Sequence, residues 1–94
     1  MQSPNILWIC TDQQRWDTLG CYGNEWVNTP HIDALANRGT KFEFCYAQSP
    51  VCTPSRASFL TGRYPRTTRC RQNGQDIPET EVLVTRLLAD AGYN

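Results

Sequence analysis

Ninety-four residues amount to one small domain at most, at or below the common domain size of roughly 100 to 150 residues. Nine Lys plus Arg balance nine Asp plus Glu, so no global field draws the chain to nucleic acid or to an anionic membrane, and any anion site has to be local. A 39% apolar fraction without a long apolar run excludes a transmembrane helix, and ten aromatic residues argue against intrinsic disorder.

The chain opens with Met1 to Pro4 and passes directly into Asn5-Ile6-Leu7-Trp8-Ile9-Cys10, with no basic stretch and no long apolar region of a secretory signal. The expected compartment is the cytoplasm, or the periplasm or exterior if a leader has been trimmed. Ile6 to Cys10 is a continuous apolar run closed by polar Thr11-Asp12-Gln13-Gln14, which predicts a strand buried on both faces and hence a parallel sheet covered by helices. Asp12 then falls just past the carboxyl end of that strand, where open α/β sheets place their ligands. After a loop containing Gly20 to Asn28, Thr29 and Pro30 signal a helix start and Gly39 its stop, with Ile32, Leu35 and Ala36 as the inner stripe. Lys41 to Ala47 alternates, with Phe42, Phe44 and Tyr46 on one side, and reads as a second strand.

Pro50 and Pro54 bracket a loop. A further helix is expected with Thr53 as cap, Pro54 at its first position, Ser55 to Thr61 as its body and Gly62 as its stop. Arg63 to Gln75 reads as an irregular basic segment with a turn at Asn73-Gly74. Thr80 to Ala91 places Leu83, Val84, Leu87, Leu88 and Ala91 at helical spacing, with Gly92 as the terminator. Two strands and three helices, with no sheet complete, suggest the opening of a larger α/β domain.

Cys52 stands at the mouth of a helix whose first N–H groups lack intrahelical partners, a setting that favours negative charge or a bound oxyanion. Arg56, one turn on, faces the same side. The plain alternative is a buried thiol beside a surface arginine. Five cysteines, at 10, 21, 45, 52 and 70, make an odd number without a C-x-x-C pair. They fit neither a disulfide framework nor a zinc ribbon, and most are expected as buried thiols. Trp8, Trp16 and Trp26 are expected in core packing. Asp17 and Asp33 read as surface carboxylates, His31 as a structural or surface residue, and Arg63, Arg66, Arg69 and Arg71 as a solvated loop.

The run Cys52-Thr53-Pro54-Ser55-Arg56-Ala57-Ser58-Phe59-Leu60-Thr61-Gly62-Arg63, followed by Tyr64-Pro65, resembles the sulfatase signature. Further segments similar to that family occur in its order: Pro4 to Leu7 leading to Thr11-Asp12-Gln13, Leu19 to Gly23, Asn28 to Ala36, Asn73-Gly74, and Leu87 to Tyr93. The resemblance implies an alkaline phosphatase-like α/β fold, a parallel-sheet sandwich of which residues 1–94 form an incomplete N-terminal segment. It implies that a maturing, formylglycine-generating enzyme oxidises Cys52 to formylglycine. The aldehyde would hydrate, one hydroxyl would attack sulfur, and the other would later expel sulfate.

By the same resemblance Asp12, Gln13 and the converted Cys52 would hold a divalent metal ion: calcium first by donor type, with magnesium, manganese or zinc as alternatives. Arg56 would stabilise the ionised nucleophile, and Asn73 would hydrogen-bond the group transferred. The substrate implied is a small-molecule or saccharide sulfate ester. Gln13 departs from the second aspartate of many sulfatases, and phosphonate monoester and phosphodiester hydrolases of the superfamily share an Asp-Gln pair, so that activity stays open, as does a truncated, non-catalytic homologue. The family's further metal ligands and catalytic Lys and His residues fall beyond residue 94, so the 94-residue polypeptide alone is expected to be inactive.

Overall fold

A computed structural model describes residues 4–94. The chain divides into two units, Met1–Glu43 and Phe44–Asn94.

In the first unit, residues 6–10 form no ladder, and Leu7 and Trp8 are 84% and 69% exposed. The expected strand at 41–47 is likewise absent, with Phe42, Phe44 and Tyr46 exposed. A strand exists only where a neighbour takes its N–H and C=O groups, and no strand occurs among the described residues. Two 3₁₀ turns follow instead, Trp16–Thr18 and Gly20–Tyr22. Asn24 folds the loop around itself: its Nδ2 donates to the Asp17 carbonyl at 2.8 Å, and its Oδ1 accepts from the Trp26 and Val27 N–H groups at 2.9 Å each.

Helix α1, Pro30–Arg38, starts with Pro at its first position, as expected. Thr29 is its cap residue, yet the hydroxyl makes no capping bond. It donates instead to Asp33 Oδ1 at 3.0 Å and accepts from the Gly20 N–H at 2.9 Å, while Asp33 Oδ1 takes the Cys21 N–H at 2.7 Å. Asp33 is therefore a half-buried clamp on the Gly20–Tyr22 turn rather than a plain surface carboxylate. A Cβ at position 20 would run into the Asp33 carboxylate, so a larger residue there has to displace that side chain from its hydrogen bonds. Lys41 closes the unit by donating to the Cys21 carbonyl at 3.0 Å with its ammonium over the Tyr22 ring.

In the second unit, α2 spans Cys52–Thr61, α3 Pro65–Thr68 and α4 Val84–Asp90. Helix α2 packs against both α3 and α4. Pro54, Ala57 and Ser58 are buried on its inner side, and Thr68 at the end of α3 and Cys70 just after it are buried too. Small side chains at 57 and 58 permit this close approach. Gly62 ends α2 in the left-handed conformation at φ 68°, its N–H on the Ser58 carbonyl at 2.8 Å.

Helix α3 interrupts the segment expected to be irregular; Pro65 at its first position is the signal. Helix α4 starts at Val84 rather than near Thr80, because residues 78–81 form a turn, with the Glu81 N–H on the Pro78 carbonyl at 2.9 Å. The Glu81 carboxylate also takes Arg63 Nη1 with both oxygens, at 3.2 and 3.1 Å. Its side chain is only 9% exposed. Helix α4 leaves Val84 and Leu87 exposed.

The expectation of core tryptophans fails at all three positions: Trp8, Trp16 and Trp26 are exposed, Trp16 resting edge-on against the Tyr22 ring. The cysteines correct another expectation, since Cys70 alone is buried, Cys21 is half-buried, and Cys10, Cys45 and Cys52 are exposed free thiols. Both departures have one physical origin: the apolar stretches around these residues find no second layer among the described elements. No helix of the described residues is long and apolar enough to cross a membrane.

Candidate active site

Helix α2 begins two residues earlier than its cap signals suggest. Val51 is extended at φ −97° and ψ 137°, and the first helical bond runs from the Ser55 N–H to the Val51 carbonyl at 3.1 Å. Cys52 is thus the first helical residue and Pro54 the third, so Thr53 does not cap. Its N–H is instead an orphan donor of the first turn. The side chain that satisfies it comes from twenty residues away: Asn73 Oδ1 accepts the Thr53 N–H at 3.1 Å and the Cys52 thiol at 3.2 Å.

Asn73 is held by its own loop. Gln75 Oε1 accepts the Arg71 and Gln72 N–H groups at 2.7 and 3.2 Å, and Gly74 turns the chain at φ 82°. The Cys70 thiol, fully buried, donates to the Gln75 carbonyl at 3.5 Å and anchors the loop to the interior. The Asn-Gly pair announces a turn in the sequence, but nothing in it shows that the turn serves α2. The role of Gln75 carries no sequence signal and was missed.

Arg56 sits one helical turn after Cys52 on α2 and is exposed. Of its basic neighbours, Arg63 is engaged with Glu81, and Arg69 ends α3 at φ 62°. The structure therefore joins Cys52 and Asn73 directly, and Arg56 follows Cys52 by one turn on α2.

Asp12 and Gln13 belong to the first unit. Both are exposed in a bend, and Gln13 has φ 50°, a conformation costly for a residue with a Cβ. Carboxylate and amide oxygens are hard donors of the type a divalent cation such as calcium takes. Among the described residues, however, no group of three or more His, Cys, Asp or Glu could hold a metal ion. The donor chemistry of this pair fits such an ion, and the remainder of a coordination shell is not assembled by the described residues.

Residues 4–94 match the family model described as Sulfatase, and the chain belongs to the sulfatase family. It is 43% identical to a steryl-sulfatase of Mus musculus over 96% of the chain and 16% of that relative. To an ulvan-active sulfatase of Formosa agariphila it is 45% identical over 97% of the chain and 18% of the relative. An N-acetylgalactosamine-6-sulfatase of Sus scrofa is 41% identical over 98% of the chain and 20% of the relative. The chain thus spans a fifth or less of the length of these curated relatives. No solved structure matches it.

Proposed function

We propose that the chain is the N-terminal part of a sulfatase catalytic domain of alkaline phosphatase-like α/β architecture, and that the whole protein hydrolyses sulfate monoesters of small molecules or saccharides. The observation that carries this reading is Cys52, exposed at the first position of α2 within the family's signature run and held by Asn73. Exposed apolar residues at 6–9 and 42–46 support the architecture, as strands awaiting their neighbours would present such faces.

Formylglycine, made from Cys52 by a maturing enzyme, would supply a hydrated aldehyde as nucleophile, and a divalent cation, calcium by donor type, would offset negative charge there. Asp12 and Gln13 would hold that cation through their side-chain oxygens. The start of α2 orients residue 52 and directs backbone donors and a partial positive charge toward an incoming anion. Arg56 adds a permanent cation one turn away, suited to a sulfate oxygen or to an ionised hydroxyl. Asn73 completes the cradle from the opposite loop.

Gln13 favours a second reading, in which the same nucleophile and fold act on phosphonate monoesters or phosphodiesters. A panel of aryl sulfate, phosphonate and phosphodiester substrates, offered to the full-length protein from its native host, separates the two. Intact mass of the same material provides the chemical test: conversion of Cys52 from thiol to aldehyde lowers the mass. A Cys52 that stays a thiol there, together with no turnover of any ester, would mean a non-catalytic homologue and sink both readings.

A further inference from the structure

We infer that Asn73 is a positioning residue for Cys52, acting through its amide oxygen rather than only as a contact to the group transferred. Its orientation follows from the partner chemistry. The Thr53 N–H is donor-only, so the side-chain atom facing it at 3.1 Å is the oxygen and the amino group points away. The same oxygen takes the Cys52 thiol at 3.2 Å. One atom therefore caps the first turn of α2 and fixes the side chain of its first residue.

The fixing is effective because the loop is itself fixed. Gln75 clamps two backbone N–H groups just before Asn73, and the buried Cys70 thiol ties the Gln75 carbonyl to the interior. Helix α2 offers no capping side chain of its own, Val51 being the cap residue and Pro54 having no N–H. The amide of Asn73 supplies what the local sequence lacks. This role deepens the proposed nucleophilic site and rests on that reading for its catalytic meaning, but its physical content is testable without any turnover.

The test is site-resolved alkylation of the thiols by iodoacetamide in the unconverted full-length protein, with the buried Cys70 as an internal reporter of folding. In Asn73→Ala, Cys52 should react faster relative to Cys70 by about fivefold, the factor that one ordinary hydrogen bond carries. Asn73→Asp keeps an acceptor of the same reach, and its Cys52 should react no faster than in the parent. A Cys52 rate unchanged in Asn73→Ala, or raised in Asn73→Asp with Cys70 still protected, overturns the inference. If Asn73→Ala exposes Cys70 as well, Asn73→Asp alone decides by the same criterion. In converted, active enzyme, Asn73→Ala should lower kcat with KM little changed; a rise in KM alone would assign Asn73 to substrate binding instead. Absence of any ester turnover would count against the sulfatase reading and leave the alkylation result standing.

Discussion

In the proposed reaction Cys52 is the residue on which the chemistry turns, and Arg56 is the cation nearest to it along α2. Cys52→Ala in the full-length protein should abolish both the mass change and turnover, since the proposed nucleophile is made from that thiol. If the proposed function holds, Arg56→Ala should lower kcat by about 10²- to 10³-fold, as for loss of one preorganised donor to developing charge. Arg56→Lys should recover only part of this, because a planar fork is replaced by a point charge. In the first unit the decisive residue is Asp33. Gly20→Ala sets a methyl group against its carboxylate and should destabilise the protein by about 1–3 kcal/mol in urea unfolding. Asp33→Ala leaves the Cys21 N–H and the Thr29 hydroxyl without their acceptor, with a loss of about the same size.

At the level of elements, helix boundaries show what local signals carry. Pro30 and Gly39 bracket α1 as read, and Gly62 ends α2 as read. Gly62→Ala should cost about 1 kcal/mol in the same measurement, because its φ of 68° is strained for a side chain with a Cβ. The signals failed where the partner is distant in sequence. Thr53 was a reasonable cap by composition, but Asn73 claims that end of the helix. Residues 80–83 carry a helical pattern, yet the turn at Pro78 and the reach of Arg63 for Glu81 delay α4 by about one turn. That ion pair spans 18 positions and joins the end of α2 to the approach to α4. Glu81→Gln should weaken it by about 1 kcal/mol, measured in a double-mutant cycle with Arg63→Ala.

For the molecule as a whole, a long signature marks Cys52 and Arg56 as candidates and the separate Asn73-Gly74 segment marks Asn73, whereas the sheet is not realised among the described residues. Strand patterns at 6–10 and 41–47 describe what those segments are suited to; a ladder also needs a neighbour, and none occurs among the described residues. The burial of Trp8, Trp16 and Trp26 was misread for the same reason. An isolated polypeptide of residues 1–94 should therefore bind a hydrophobic dye such as ANS strongly, and it should show no ester turnover. Weak dye binding at micromolar protein would mean that these faces are covered in some other way.

The oxygen of Asn73 has a consequence of a thermodynamic kind. Two donors that share one acceptor are not independent, so the state of the side chain at position 52 and the winding of the first turn of α2 form a linked equilibrium. Whatever alters the bond at 52 is felt at the Thr53 amide, and fraying of that turn is felt at 52 by the same factor. Hydrogen exchange at Thr53 would therefore report on residue 52 without touching it.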